Sequence, residues 1–307
     1  MSGLDHQLDV DVGMAQPRKA RHRPSWLLLL PALGFYLVVV IYPAARDVVE
    51  AFTDWNGVDA DRHFVGLDNF RALLDDPILR GAAWNTAIIA LVVTVFQNGV
   101  GLLLALALHR GIKSRGVLRA ILFLPVLVNP IVIAYVWQFI YVTGGPIDST
   151  LGSLHLDGFR QNWLGDPNIV LAAVLVPMVW QYIGYSMVIF LAGLEGIPKE
   201  INEASALDGA NGFRRFRHIT WPLLAPALTI NAVLTMIGGL NAFTVIFALT
   251  GGGPGNATQT VTTALFQEAF TFGNYGYGTA IACALSIVIV IVAFAQVGFL
   301  RRREFVA

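Results

Sequence analysis

The chain has 307 residues, of which 56% are hydrophobic and only 13% are charged, and its mean hydropathy is +0.64. Soluble domains are about 45–50% apolar and about 25% charged, so this composition argues against a soluble monomer and favours one membrane domain. The net charge of +0 gives no support to nucleic-acid binding. The single cysteine, Cys283, cannot form an intrachain disulfide, and the six histidines form no cluster with metal-ligand spacing.

In chain order, the predicted elements are a polar tail followed by six apolar segments. Residues 1–24 are polar without periodicity, which predicts a disordered cytoplasmic tail. A helix needs about 20 mostly apolar residues to cross a bilayer. Six uncharged segments meet this requirement, at Ser25–Ala45, Ala82–Leu108, Ala120–Val142, Asn168–Leu194, Pro222–Leu249 and Tyr275–Leu300. We therefore predict an all-α polytopic membrane protein with six transmembrane helices within residues 25–300, followed by a cytoplasmic tail at 301–307.

The distribution of Lys and Arg predicts which side of the membrane each loop faces. Fifteen of the 20 basic residues lie in the N-terminal tail, the second and fourth loops and the C-terminus, whereas 12 of the 20 acidic residues lie in the other loops. The positive-inside rule then places both termini in the cytoplasm. The apolar core of Ser25–Ala45 is longer than that of a signal peptide, so we interpret this segment as a retained membrane anchor.

The spans contain no Asp, Glu, Lys or Arg. This absence disfavours an ion-coupled secondary transporter, which normally holds ionisable groups in the membrane, although Na⁺ sites built from backbone carbonyls keep that alternative open. None of the lysines, Lys19, Lys113 and Lys199, follows a glycine, so the chain has no P-loop. No hydrolase or metalloprotease motif is present either. We predict that the chain is not an enzyme, has no catalytic residues, and takes its energy from another chain.

The fourth loop, at residues 195–221, is predicted to form a helix-turn-helix. Ile197, Ile201, Ala204 and Leu207 recur at helical spacing and share one face. Gly209 is a natural residue for positive φ after the helix, and Asn211 can cap a second short helix. A loop that lies on the membrane surface is the alternative that this spacing leaves open.

The same loop carries a motif with fixed spacing. Glu203-Ala204-Ser205 is followed by Gly209 and then by the segment from Ile219 to Pro222. This motif resembles the E-A-A, G and I-x-L-P signature of the inner-membrane permeases of binding-protein-dependent ABC importers, with Ser205 and Trp221 as departures. The resemblance implies a type I ABC importer permease fold, in which this loop is the coupling loop that docks on the ATPase subunit. The residues that inherit the coupling role are Glu203, Ala204, Ser205, Leu207, Gly209, Ile219 and Pro222.

Other segments are similar to the carbohydrate branch of that family, and in particular to its maltose and glycerol-3-phosphate "first permease" type. They are 66-GLDNFRALL-74, 122-LFLPVLVNP-130, and 249-LTGGGPGNATQT-260 followed by 275-YGYGTA-280. The resemblance implies import of a sugar or polyol across a bacterial-type inner membrane. It also implies a second homologous permease, two ATPase subunits that bind ATP and Mg²⁺, and an extracytoplasmic solute-binding protein, with no cofactor or metal on this chain.

Two further sets of residues are expected to have functional roles. The Gly/Pro turn is predicted to be flexible and to offer a docking surface for the binding protein through Gly251, Gly252, Gly253 and Pro254. A sugar pathway needs amides, hydroxyls and aromatic faces within the spans, and the candidates are Asn129, Gln181, Tyr182, Tyr185, Ser186, Asn241 and Thr244. For each of these polar groups, interhelical hydrogen bonding is the alternative role.

Overall fold

The computed structural model of the chain describes residues 29–109, 113–208 and 210–301. The polar tail at 1–24, Gly209 and residues 302–307 lie outside this described part. Almost all regular structure in these ranges is helical, and the β contact they contain is an isolated bridge between Thr53 and Phe64. The chain divides into two units, Met1–Arg46 and Asp47–Ala307.

The first half of the chain contains α1 (Leu30–Glu50), α2 (Asp68–Asp75), α3 (Pro77–His109), α4 (Arg115–Phe123), α5 (Pro130–Tyr141) and α6 (Pro146–Ser153). The second half contains α7 (Val170–Glu195), α8 (Lys199–Leu207), α9 (Gly212–Leu223), α10 (Ala225–Leu240), α11 (Thr244–Thr250), α12 (Val261–Phe266) and α13 (Tyr275–Arg301). Within the second unit, α3 packs mainly against α7 and α10, while α13 packs against α10, α12 and α2. The result is an all-α bundle, as the hydropathy pattern predicts.

Among the described residues, four helices are long and apolar enough to cross a membrane: α1, α3, α7 and α13. Two helix pairs also pass this test together but are bent, by 97° between Arg115–Leu127 and α5 and by 65° between α9 and α10. If each bent pair is one span, the total reaches the six that the sequence predicts. The predicted third and fifth spans are therefore not straight helices.

The break in the third span has a local cause. Pro125 lies in a short 3₁₀ turn at Leu124–Leu127, after which Val128 is extended. The Asn129 side chain then accepts the Ile131 N–H at 2.9 Å, and Pro130 begins α5, which is the usual arrangement at a helix start. The break exposes backbone groups that hydrocarbon cannot satisfy. The buried Gln181 amide satisfies one of them by donating to the Val128 carbonyl at 2.9 Å.

The predicted fifth span, Pro222–Leu249, is wrong as a single helix. Helix α10 ends at Leu240, the chain turns at residues 241–243, and α11 begins at Thr244. The Ala242 carbonyl in this turn accepts hydrogen bonds from the hydroxyls of Thr260 and Thr262, at 3.0 and 2.6 Å. A segment that lies later in the sequence therefore stabilises the turn.

The helices of the bundle approach closely at small residues. A Cβ atom placed on Gly101 of α3 would lie 2.7 Å from the Ser186 Cβ of α7, and one placed on Gly239 of α10 would lie 2.5 Å from the Ala90 Cα of α3. Membrane helices associate in this way because the hydrophobic effect does not drive helices together within lipid, so their association depends on close packing of the backbones.

Candidate functional site

The loop at residues 195–221, the predicted coupling loop, contains a helix whose start packs against the bundle. Helix α8 begins at Lys199, and Ile197, just before it, packs against the apolar cluster formed by α3 and α7. Ser205 is 3% exposed, whereas Glu203 and Ala204 are exposed and Leu207 is 90% exposed. Ile197 at the start of the apolar stripe is therefore half-buried, whereas Leu207 at its end is exposed, one turn after Glu203.

The second half of the loop forms α9, as the sequence predicts. The Asn211 side chain accepts the Arg214 N–H at 2.9 Å and so caps this helix. Ile219 and Pro222 are half-buried on the same helix, while Phe213 is exposed. Because Gly209 lies outside the described residues, its expected positive φ stays a prediction.

A cavity of about 290 Å³ lies where α3, α7 and α10 meet. Four of the predicted pathway residues line it: Tyr182, Tyr185, Asn241 and Thr244. Its other lining residues are Val93, Gln97, Pro130, Met178, Leu234, Thr235, Gly238, Gly239, Ala242, Phe243 and Val245. We call this space the bundle cavity. Its lining combines tyrosine rings, amides and hydroxyls with an apolar wall, and no charged side chain of the described chain lines it.

The other three predicted pathway residues do not line the bundle cavity. Gln181 is fully buried and bonds to Val128, and Asn129 caps α5. Ser186 is fully buried and donates its hydroxyl to the Asn231 side chain of α10 at 3.2 Å. These residues make the backbone and interhelical hydrogen bonds that the sequence leaves as the alternative role.

Thr235, Met178 and Phe243 also line the bundle cavity and are not among the residues that the sequence predicts for the pathway. Thr235 lies one turn before Gly238 and Gly239, and its hydroxyl accepts the Asn98 amide at 2.9 Å. In the sequence, Thr235 is indicated only by its helical spacing from Asn231 and Gly238, which places these three residues on one face of the helix. Phe243 lies in the turn after α10, and predicting it required knowledge of the break.

The Gly/Pro turn is ordered, in contrast to the flexibility predicted from its composition. Gly251 and Gly252 have φ of 62° and 94°, which explains the choice of glycine at both positions. The Asn85 amide of α3 donates to the carbonyls of Ala257 and Gln259, at 3.2 and 3.0 Å. The buried Thr258 hydroxyl donates to the Gly253 carbonyl at 2.8 Å. Backbone groups that would be free in a mobile turn are therefore held by side chains.

The acid-rich segment 47–76 is also ordered. Glu50 is buried and pairs with Arg62 at 2.7 Å, and the Arg62 guanidinium lies 4.6 Å from the Trp55 ring. The Asn69 amide donates to the carbonyls of Ala51 and Thr53, at 3.0 and 2.8 Å. These contacts turn the segment into a defined surface. Among the described residues, no group of three or more His, Cys, Asp or Glu has an arrangement that could hold a metal ion.

The sequence is similar to known permeases over most of its length. A family model described as "Binding-protein-dependent transport system inner membrane component" matches residues 97–305. The chain is 34% identical over 279 residues to the probable starch degradation products transport system permease protein AmyD of Thermoanaerobacterium thermosulfurigenes, covering 91% of this chain and 94% of the relative. It is 34% identical over 260 residues to the trehalose/maltose transport system permease protein MalF of Thermococcus litoralis, covering 83% and 85%.

The fold is similar to that of solved transporters. A bacterial ABC transporter involved in the import of the acidic polysaccharide alginate matches with a TM-score of 0.80 at 20% identity, covering 90% of this chain and 94% of that chain. The alginate transporter in complex with an alginate pentasaccharide-bound periplasmic protein gives 0.78 at 19% identity, covering 90% and 93%. At these identities the likeness supports the fold alone, and it confirms the expected ABC importer permease fold. The chain belongs to the family of binding-protein-dependent transport system inner membrane components, and it is a multi-pass membrane permease subunit of an ABC importer, in which ATP is hydrolysed by a separate subunit.

Proposed function

We propose that this permease imports a sugar or related polyol, and that it works as one half of a heterodimer with a second, homologous permease. Two ATPase subunits supply the energy from bound ATP and Mg²⁺, and an extracytoplasmic binding protein delivers the solute. The observation that carries the proposal is the bundle cavity, because its lining has the chemistry that an uncharged polyhydroxylated molecule needs.

Two features of the bundle cavity favour a sugar over an ion. The rings of Tyr182 and Tyr185 supply flat apolar faces, and Asn241, Thr244 and Gln97 supply amides and a hydroxyl. The described residues that line the cavity include no Asp, Glu, Lys or Arg, whereas coupled ions usually need such groups within the membrane. The names of the two curated relatives, which refer to starch degradation products and to trehalose and maltose, support the same class.

The coupling loop supports docking on an ATPase subunit. Glu203 and Leu207 are exposed on α8, although the first turn of the loop is anchored to the bundle by Ile197. An exposed apolar side chain beside a carboxylate suits a cleft that combines an apolar wall with a basic group. The Lys and Arg distribution supports a cytoplasmic position for this loop and both termini, on the side where ATP is available.

The opposite side is proposed to dock the binding protein. Gly251, Gly252, Gly253 and Pro254 lie in a turn held by side-chain hydrogen bonds, and the ordered acidic segment 47–76 belongs to the same side by the positive-inside rule. The fixed backbone of the turn can recognise one partner, and the negative charge of the acidic segment can steer the approach of that partner.

The test is uptake by proteoliposomes that contain the whole complex, with maltose, trehalose, maltotriose and glycerol 3-phosphate as labelled solutes. Import of at least one saccharide is expected. Tyr185→Ala is expected to reduce it by about fivefold or more through the loss of a stacking face. Tyr135→Ala is the matched control, because Tyr135 is an exposed tyrosine of α5 outside the cavity lining. Equal losses in both variants would contradict the assignment of the cavity, and a complex that imports none of the saccharides would contradict the sugar class.

A further inference from the structure

A second cavity, of about 420 Å³, lies in the connection between α5 and α7. It is lined by Thr143, Gly144, Asp148, Ser149, Arg160, Gln161 and Asn162. Six of these seven residues have polar side chains, so this space differs in kind from the bundle cavity. None of them belongs to the coupling loop or to the Gly/Pro turn. We call it the loop cavity.

The loop cavity has a fixed wall. Asp148 is only 6% exposed, and its carboxylate accepts the Gly144 N–H at 2.8 Å and the Trp163 indole N–H at 3.3 Å. The Trp163 ring packs on Tyr141 at 6.0 Å between centroids, and the Tyr141 hydroxyl donates to the Ala173 carbonyl of α7 at 2.8 Å. These contacts tie the cavity to two membrane helices, which gives it the preformed geometry of a binding site.

The chemistry of the lining selects among ligand classes. A carboxylate has about four acceptor sites and a guanidinium about five donors. Asp148 receives the two hydrogen bonds described above, and the Arg160 guanidinium contacts Asp157 at 3.0 Å, so both groups keep capacity for a ligand. An anion would meet the buried carboxylate, and a cation would meet the guanidinium. A neutral polyol suits both, since each of its hydroxyls donates and accepts.

The size and surroundings agree with this class. Small-molecule sites commonly occupy about 300–1,000 Å³, and the loop cavity lies within that range. Aromatic packing continues from Trp163 and Tyr141 to Trp137, at 5.3 Å from Tyr141. Trp137 packs on the same apolar cluster as Met178, which lines the bundle cavity. The two cavities are therefore joined by continuous side-chain packing.

We propose that the loop cavity is a saccharide subsite, separate from the bundle cavity and on the side that the Lys and Arg distribution assigns to the cell exterior. The inference rests on the sugar class proposed above. Asp148 accepts from sugar hydroxyls, Arg160 donates to them, and Gln161 and Asn162 do both. The site holds a saccharide outside the membrane span, next to the helices that surround the bundle cavity.

The single native cysteine allows a direct test in the whole complex. Cys283→Ser removes it from this chain. Gln161→Cys then introduces a single thiol in the lining of the loop cavity, and Phe159→Cys introduces one at an exposed position near it. The labelling rate by a membrane-impermeant maleimide is measured with and without maltose, trehalose or maltotriose. A saccharide that the complex imports is expected to slow labelling of the Gln161→Cys protein about fivefold at saturation and to leave the Phe159→Cys protein unchanged.

Two further variants link protection to the lining. In the Gln161→Cys protein, Arg160→Gln is expected to raise the saccharide concentration that gives half-maximal protection about fivefold or more. Asp148→Asn is expected to have the same effect, and it serves as the second variant in case Arg160→Gln perturbs the loop. Import without protection of the Gln161→Cys protein, or with equal protection of both thiols, overturns the subsite and leaves the sugar class intact. Absence of saccharide import by the complex that retains Gln161 and Phe159 overturns the sugar class and the subsite together.

Discussion

Glu203 is an exposed carboxylate on α8, and the start of this helix is held to the bundle by the preceding Ile197. We expect Glu203→Lys to abolish transport while membrane insertion stays intact, because the reversed charge repels a basic ATPase surface and removes a contact worth about 1–3 kcal/mol. Co-purification of the ATPase and sugar uptake provide the two measurements. Glu200→Lys, the same charge change three residues earlier on α8, is the control. Normal uptake by Glu203→Lys, or equal loss in both variants, would contradict a specific role for Glu203.

Asp54 shows how a backbone contact tunes an exposed acid. Its carboxylate accepts the His63 backbone N–H at 2.8 Å, and this hydrogen bond, which stabilises the charged form, lowers the Asp54 pKa. The stability that this hydrogen bond contributes is therefore fully present above the usual Asp pKa, and it is lost as the pH falls through the lowered pKa of Asp54. We expect hydrogen-exchange protection of the His63 amide to decrease in that acidic range. Asp54→Asn should remove this pH dependence and Asp61→Asn should preserve it, so the same acid sensitivity in both variants would refute the assignment.

At the scale of elements, helix α10 offers two adjacent glycines with opposite surroundings. A Cβ on Gly239 would lie 2.5 Å from the Ala90 Cα of α3, whereas a Cβ on Gly238 would have nothing within 4 Å. We expect Gly239→Ala to reduce the free energy of unfolding by about 1–3 kcal/mol through overpacking. Gly238→Ala should be neutral or stabilising by up to about 1 kcal/mol, since alanine favours helix. Thermal unfolding in detergent distinguishes the two, and identical melting temperatures would show that α3 can move aside.

The sequence predicts helices well where hydropathy alone determines the ends of the helix, and poorly where contacts with distant residues determine them. The break in the third span has local signals, since Asn129 and Pro130 form a typical helix start. The break after Leu240 depends on Thr260 and Thr262, which hold the Ala242 carbonyl from about twenty residues away. Uniform hydropathy across such a turn gives no sign of it, and for this reason Pro222–Leu249 reads as one helix.

At the scale of the whole molecule, membership of an ABC importer family predicts ATP as the energy source. We expect uptake in vesicles to require ATP, the binding protein and the second permease, and to be indifferent to proton or sodium gradients. Omission of one component at a time, under an imposed ion gradient, provides the measurement. Reconstitution with every component but without a gradient is the control. Accumulation that is driven by a gradient in the absence of ATP would contradict the prediction.

The sequence indicates some of the residues that line the bundle cavity and not others, because it does not reveal how each helix is rotated about its own axis. Polar residue types in the fourth and fifth spans indicated Tyr182, Tyr185, Asn241 and Thr244, which line the bundle cavity. They also led to Gln181 and Ser186, whose side chains point to Val128 and Asn231 instead. On a helix that is apolar all round, composition does not reveal which polar side chain faces a cavity and which faces a neighbouring backbone.

The ordered Gly/Pro turn has a thermodynamic consequence for any partner that binds it. Fixing one residue of a mobile loop costs about 1–2 kcal/mol in backbone entropy. Asn85, Thr258 and Gln267 already hold residues 251–259, so this entropy is lost when the permease folds and not when the partner docks. Docking affinity then depends on residues that need not touch the partner. Loss of the Asn85 amide, which belongs to a membrane helix, would weaken docking at a distance by returning freedom to the turn.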